Sequence, residues 1–231
     1  MVNLCVYYEG MNAFGVRKRE EIIMIKWTVL NIGQFSRNRY WGESDDQSYR
    51  GAICTSTVLS HDGKHIIVDP GFESDQMAEL LDARTGLTPK DISAIYITHS
   101  HADHFMGLER FIGATFYTAP EDYEHVKKQF ADKPELARKI YPAPENMLPG
   151  LKLLPLPGHT LGLCGLLFEA AEGRVAITGD AVMTRDFYRD ARGYYNSADF
   201  EMSAKSIQKL YEVADIVIPG HDNYFIAKAY R

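Results

Sequence analysis

Thr98-His99-Ser100-His101-Ala102-Asp103-His104 places three imidazoles and a carboxylate directly behind an apolar run, Ala94-Ile95-Tyr96-Ile97. The run reads as a buried strand, so the polar cluster falls at its C-terminal end. Unpaired buried polar groups are costly, and packing alone gives no reason to gather them there. A bound cation does, because imidazole and carboxylate are ligands suited to zinc and also to iron or manganese. His99 and His101 stand two apart, so an extended backbone points both the same way and lets them grip one ion. Asp103 and His104 lie just beyond, where the chain is expected to turn into a helix around Phe105 to Arg110. That change of backbone direction lets neighbouring residues serve a second ion.

Three further segments have the same character: Pro157-Gly158-His159-Thr160, Thr178-Gly179-Asp180-Ala181 and Pro219-Gly220-His221-Asp222. Each follows a strand-like run, and in each a glycine immediately precedes the polar residue. Taken singly, Gly-His or Gly-Asp is an ordinary turn. Taken together with the first cluster, the segments suggest one site built at strand ends. Two metals about 3.5–4 Å apart can share a hydroxide and a carboxylate. Asp180, with two oxygens to give, is the natural bridge; His159 completes the first set and His221 the second.

Working outward, residues 1–24 show little sustained periodicity and read as an N-terminal appendage of uncertain status, with Met24 a candidate start for the domain proper. Residues 25–231 read as a single domain. A first strand spans Met24 to Gly33, followed by a polar loop from Gln34 to Gly51 that carries Tyr40 and Trp41. Ile53 to Leu59 and His65 to Val68 read as hairpin arms around an Asp62-Gly63 turn. His61 and His65 flank that turn and are expected to be solvated. Helices are expected over Ser74 to Arg84, Pro120 to Phe130 (with His125 on the surface) and Glu201 to Asp215. Strands are expected over Leu151 to Leu156, Leu161 to Phe168, Val175 to Thr178 and Ile216 to Ile218. Strands interspersed with helices, some paired as hairpins, predict an α+β fold, an αββα sandwich of two sheets covered by helices.

Composition narrows the function. Apolar residues make up 45% of the 231, charged residues 24%, and the net charge is −6. That profile fits an ordinary soluble globular protein and argues against nucleic-acid binding, which normally shows a basic face; a small-molecule substrate is expected from the metal site. No apolar stretch approaches the ~18 residues of a membrane span. Cys5, Cys54 and Cys164 share no close spacing, which argues against disulfides and a cysteine zinc site, and a cytoplasmic setting is expected. Composition leaves the oligomeric state open.

The HSHADH string over residues 99–104 resembles the HxHxDH motif of the metallo-β-lactamase fold superfamily. Val68-Asp69-Pro70-Gly71, Gly158-His159-Thr160, Gly179-Asp180-Ala181 and Pro219-Gly220-His221 are similar to that superfamily's other characteristic segments, in the same order, from roughly Ile25 onward. The resemblance implies a four-layer αββα sandwich, two mixed sheets flanked by helices, with a dinuclear zinc site at one edge. It implies His99, His101 and His159 on one ion and Asp103, His104 and His221 on the other, with Asp180 bridging and Asp69 a buried carboxylate behind them. Water bridging two such ions has its pKa lowered from about 15.7 toward neutrality, and Asp103 is placed to orient it and handle its proton.

The expected activity is metal-dependent hydrolysis of a small ester, thioester or lactone. The alternatives are a mononuclear-iron oxygenase of the persulfide dioxygenase type and a metal-binding protein without turnover. Acyl-homoserine lactonases resemble the chain in size and motif but usually carry a tyrosine soon after the bridging aspartate, where this chain has Met183, with Tyr188 farther along. Hydroxyacylglutathione hydrolases carry an added helical domain, and only ten residues follow His221 here. Ala181 to Phe200 reads as a long irregular loop, and Arg185, Tyr188 and Tyr194 within it are candidates to hold substrate. The loop around Tyr40 and Trp41 is expected to form the opposite wall.

Overall fold

The computed structural model describes residues 6–11 and 17–231, with side chains described from Ile22 onward. Strands β1 (Val6–Met11) and β2 (Arg17–Ile22) form a two-stranded antiparallel ribbon, and among the described residues they pair only with one another. The rest of the expected appendage, residues 1–5 and 12–16, lies outside the described residues. Met24 bridges to Glu169, and the Ile25 amide donates to the Glu169 carbonyl at 2.9 Å, so the chain joins the main body here.

The first sheet is built from β3 (Lys26–Asn31), β4 (Ser56–His61), β5 (Lys64–Val68), β6 (Ile92–Ile97), β7 (Thr115–Thr118) and β8 (Ile140–Pro142), in that spatial order. Its first three strands are antiparallel and the remainder parallel. The second sheet runs in the order β13-β12-β11-β10-β9, from β9 (Lys152–Pro155), β10 (Cys164–Ala170), β11 (Gly173–Gly179), β12 (Ile216–Pro219) and β13 (Phe225–Ile226). In it β11 and β12 are parallel and the other neighbours antiparallel. Both sheets are therefore mixed, and each comes from its own half of the chain.

Side chains alternate along the strands with a period of two, and this sets the layers. Leu59, Ile66, Val68, Ala94 and Tyr96 of the first sheet meet Leu166, Phe168, Val175, Ile177 and Ile218 of the second in the central core. Their neighbours Val58, Ile67, Ile95 and Ile97 face the other way, onto Met77 and Leu81 of α1 (Ser74–Thr85) and Val126 of α2 (Tyr123–Lys128). A short α3 (Pro134–Ala137) adds Leu136 to the same layer. On the far side, Ala176 and Val217 pack against Tyr188 of α4 (Arg185–Arg189) and Ile207 and Leu210 of α5 (Phe200–Val213). Asp199 caps α5, accepting a hydrogen bond from the Met202 amide at 2.8 Å. The architecture is the expected αββα sandwich.

Two local expectations are corrected. Phe105 to Arg110 forms no α-helix: single 3-10 turns at Ala102–His104 and Glu109–Phe111 carry the chain past the cluster. The Ala181 to Phe200 segment is not wholly irregular, since α4 occupies its middle. The hairpin register closes as expected, His61 opposite Lys64, with positive φ at both Asp62 and Gly63. His61 and His65 accordingly meet Met24 O and Ser60 Oγ, away from the histidine cluster. No helix among the described residues is long and apolar enough to cross a membrane.

Candidate metal centre

The dispersed motifs converge at the ends of β6, β9, β11 and β12. His99, His101, His159 and Asp180 form one group of donors, and Asp103, His104 and His221 another, with the atoms of each group within 4.8 Å of one another. In the first group, His101 Nδ1 lies 3.2 Å from His99 Nε2 and 2.9 Å from His159 Nε2. Three ring nitrogens pointing at one place cannot all satisfy one another, since a neutral imidazole offers a single N–H. A cation at their common focus resolves the conflict.

Asp180 stands between the groups. Its Oδ2 faces His159 Nε2 at 3.2 Å and His99 Nε2 at 3.8 Å; its Oδ1 faces His104 Nε2 and His221 Nε2, each at 3.2 Å. His221 Nε2 also lies 3.5 Å from Asp103 Oδ2. Asp180 Oδ1, His104 Nε2 and His159 Nδ1 are buried without a hydrogen-bond partner. Buried polar atoms are rarely left so, and two of these three point into the focus of the second group, where an ion would satisfy them.

Other atoms fix which nitrogen faces inward. His221 Nδ1 lies 2.9 Å from Gln34 O and 3.0 Å from Ile53 O, so it carries the hydrogen and leaves Nε2 as the donor. Asp69 does this for both groups. Its Oδ2 accepts from His104 Nδ1 at 2.9 Å and from the Thr98 hydroxyl at 2.8 Å, and Oδ1 accepts the Thr98 amide at 2.8 Å. With its proton committed to Asp69, Thr98 Oγ1 can accept from His99 Nδ1, 3.1 Å away. Asp69 itself has φ of +51°, uncommon outside glycine. Its carbonyl is held there by the Ser56 hydroxyl at 2.5 Å and the Cys54 thiol at 3.2 Å.

Burial pushes the His99 and His101 imidazoles below their ordinary pKa, which keeps both neutral and able to ligate. Burial also works against the charge on Asp180, but the imidazoles of His221, His104 and His159 outweigh it and hold the carboxyl well below the usual range. For His104, burial is again opposed, by Cys54, Asp180, Asp69 and Asp103, and the pKa rises well above normal. The Cys54 thiol is itself pushed up to about 12 by burial, so at neutral pH it is uncharged and the carboxylates are the cause.

Two glycines are required by close approach. A Cβ on Gly179, which has φ of +49°, would run into Thr98 Oγ1, and a Cβ on Gly220 would run into Asp180 Oδ1. The β11–β12 register shifts between Ile177 and Gly179, just before Asp180, and such a bulge re-aims the side chain that follows.

The structure adds a residue that sequence reasoning missed. Asp122 is 2% exposed, and its Oδ2 accepts both the Ser100 amide at 3.0 Å and the Thr160 hydroxyl at 2.8 Å. It thereby ties the His99–His101 segment to the His159 segment. Asp122→Ala is expected to weaken cation binding at the first group by about 10–100-fold, the usual cost of removing an outer partner. Asp122→Asn, which keeps one acceptor oxygen, is expected to fall between; competition against a chromogenic chelator measures both.

The three residues expected to hold substrate are placed differently. Arg185 makes a two-pronged ion pair with Asp222, at 2.8 and 2.9 Å, beside His221. Tyr188 is fully buried against Tyr211 and Phe225, which corrects its expectation as a residue that holds substrate. Tyr194 is 5% exposed and donates its hydroxyl to Arg37 O at 2.9 Å. Its ring joins Phe35, Met183 and Phe187 in an apolar cluster, with partly buried Tyr40 packed against it. The Phe35 ring in turn lies 6.0 Å from the His221 ring.

Comparison with known proteins agrees with this geometry. The family described as the metallo-beta-lactamase superfamily matches residues 49–221, and the chain belongs to it. An N-acyl homoserine lactonase from Bacillus sp is 32% identical over 160 residues, 65% of this chain and 63% of that protein. A hydroxyacylglutathione hydrolase from Methylobacillus flagellatus is 32% identical over 139 residues, 51% of this chain and 52% of that protein. The chain thus spans less than two thirds of the curated relatives it matches. Among solved structures, a mutant of B. thuringiensis AiiA with N-decanoyl-L-homoserine bound at the active site superposes with TM-score 0.65 at 21% identity, covering 87% of this chain and 94% of that one. AidC, described as a dizinc quorum-quenching lactonase, superposes with TM-score 0.60 at 17% identity, covering 74% and 72%. These likenesses show the shared fold.

Proposed function

We propose that the domain, taken to begin at residue 25, is a dinuclear metal-dependent hydrolase that cleaves a small ester, thioester or lactone. The observation that carries this reading is Asp180, which turns one oxygen to His99 and His159 and the other to His104 and His221. The named activities of the lactonase and thioester-hydrolase relatives support ester-type substrates. His99, His101, His159 and Asp180 are the proposed ligands of one ion, and Asp103, His104, His221 and Asp180 of the other, with zinc the metal best suited to this donor set. Bound there, two such cations supply an activated water and polarise the carbonyl to be attacked.

The protein's own groups have separable tasks. Asp69 and the backbone carbonyls of Gln34 and Ile53 hold the imidazole tautomers. Asp103 has a side chain 20% exposed, against 5% or less for Asp180, His99, His104, His159 and His221. It is therefore the acid most open to solvent, and we assign it the orientation of water and the passage of its proton. The apolar cluster of Phe35, Met183, Phe187 and Tyr194 shields the His221 side from bulk water. The buried free thiols Cys54 and Cys164 support a cytoplasmic setting.

Metal analysis of protein purified without added metal, followed by assay on lactone, thioester and phosphodiester substrates, tests the proposal. About two zinc ions per chain and turnover abolished by chelation are expected. One iron per chain without hydrolysis of any of these substrates would replace the reading with an oxygenase.

A further inference from the structure

A cleft of about 220 Å³ lies between the 34–51 and 181–200 segments, lined by Arg39, Asp45, Phe187, Arg192, Tyr195 and Phe200. None of its lining residues is a candidate ligand, and two sets of contacts relate it to the site. Phe187 packs on Phe35, at 6.1 Å between rings, and Phe35 contacts His221. On the other side, the Ala198 amide donates to His159 O at 3.1 Å and the Asp199 amide to Gly158 O at 2.9 Å, immediately before Phe200. The cleft therefore adjoins the backbone of the His159 segment and is separated from the His221 ring by Phe187 and Phe35.

The charge in the cleft is unlike that of the chain around it. The net charge is −6, yet the cleft carries two exposed arginines. Nearby arginines are neutralised: Arg185 by Asp222, Arg189 by Asp186 and Asp190, and Arg50 by Glu43. Among the described residues, neither Arg39 nor Arg192 has a carboxylate within 4.0 Å. Asp190, the acid that follows α4, is held by Arg189 at 2.8 Å and by the Tyr40 hydroxyl at 2.7 Å. Asp45 on the rim offsets one charge, but Arg37 adds another, its guanidinium stacked 4.3 Å over the Tyr195 ring and bonded to the Asp45 carbonyl. The cleft thus combines uncommitted guanidinium groups with aromatic walls, a chemistry that suits a carboxylate or phosphate at the end of a short apolar chain.

We propose that Arg39 and Arg192 bind an anionic group on the substrate, so that the hydrolase acts on esters, thioesters or lactones that carry a negative charge. This rests on the hydrolase reading above and extends it to a substrate class. The same bond in a neutral acyl chain leaves both guanidinium groups unused.

Two matched esters test it on the zinc-loaded protein: p-nitrophenyl hexanoate, and the mono-p-nitrophenyl ester of adipic acid. The adipate ester is expected to have kcat/KM about tenfold or more above the hexanoate ester at low salt, the scale of a charge-assisted contact. The ratio should collapse toward unity in the double variant Arg39→Ala, Arg192→Ala, and persist in Arg192→Lys. A ratio near unity in the wild type, or one unchanged in the double variant, overturns the proposal while leaving the hydrolase reading intact. Calorimetry with adipate and hexanoate gives a measure independent of turnover. Tighter adipate binding that disappears in the double variant supports the cleft even if neither ester is cleaved, the hydrolase reading being decided separately by metal content and the lactone and thioester assays; equal binding in the wild type overturns the cleft.

Discussion

Asp180→Ala is expected to lower kcat/KM by about 10³-fold or more, equivalent to about 4 kcal/mol of lost transition-state stabilisation. The reason is geometric. Both donor groups close on this one carboxylate, with oxygens 3.2 Å from His159, His104 and His221, so removing it opens both at once. Metal content distinguishes this from a local defect. Wild-type protein should hold two ions, and Asp180→Ala one or none. Asp180→Asn should hold one, because its amide keeps a single ligating oxygen and its nitrogen is not a ligand. Two ions retained in Asp180→Ala at normal affinity would remove the bridging role.

The second large effect is expected at Asp69, which touches neither proposed ion. Asp69→Ala strands three buried donors: the Thr98 amide, the Thr98 hydroxyl and His104 Nδ1. Each unmade bond to a buried group costs about 1–3 kcal/mol, and with shared relaxation the total is expected to be about 3–5 kcal/mol. For a domain of this size that corresponds to a fall in Tm of about 10 °C, read by thermal denaturation of the chelated protein. Asp69→Asn separates folding from tautomer control. It keeps the volume and one acceptor, but its amide nitrogen must stand in place of Oδ1, facing the Thr98 amide, or of Oδ2, facing both the Thr98 hydroxyl and His104 Nδ1. In the Oδ1 place it would meet the Thr98 amide, a fixed donor that cannot reverse; in the Oδ2 place the Thr98 hydroxyl can turn, and His104 Nδ1 must become the acceptor so that Nε2 carries the proton toward Asp180. The second arrangement avoids opposing two fixed donors, so His104, a proposed ligand, presents the wrong nitrogen, and cation affinity should fall about 10–100-fold with a much smaller loss of Tm. Unchanged affinity in Asp69→Asn would show that the tautomers are set elsewhere.

The candidate metal donors were legible in the sequence because metal chemistry restricts residue type and because each sits where a strand ends, so motif and periodicity point to the same place. The strand pattern also gave the two sheets: Ile95 and Ile97 face one layer while Ala94 and Tyr96 face the other, as alternation requires. Asp122 was not legible. It follows Pro120-Glu121 in an acidic, helix-starting stretch that reads as solvent-facing, and only the return of residues 160–162 over it makes it buried. The Ala181 to Phe200 segment misled for the opposite reason. Tyrosine and arginine there suggested contact with substrate, but Tyr188 is used as core beneath α4 and Arg185 is spent on Asp222. Arg39 and Arg192 lie far apart in sequence, and no local pattern announces that they share a cleft. The helix expected at Phe105 to Arg110 gives way to tight turns, with Gly107 close against Met77 and Phe72.

Each sheet arises from a separate half of the sequence, residues 26–142 and 152–226, and the donors come from both. The molecule can therefore be pried apart along the seam between its halves only by releasing whatever ions they share. An ion at a hundred times its dissociation constant adds about 2.7 kcal/mol against that opening, a sizeable part of the few kcal/mol by which a small protein stays folded. Scarcity of such an ion would remove that contribution and raise the fraction of molecules open to proteases along the seam.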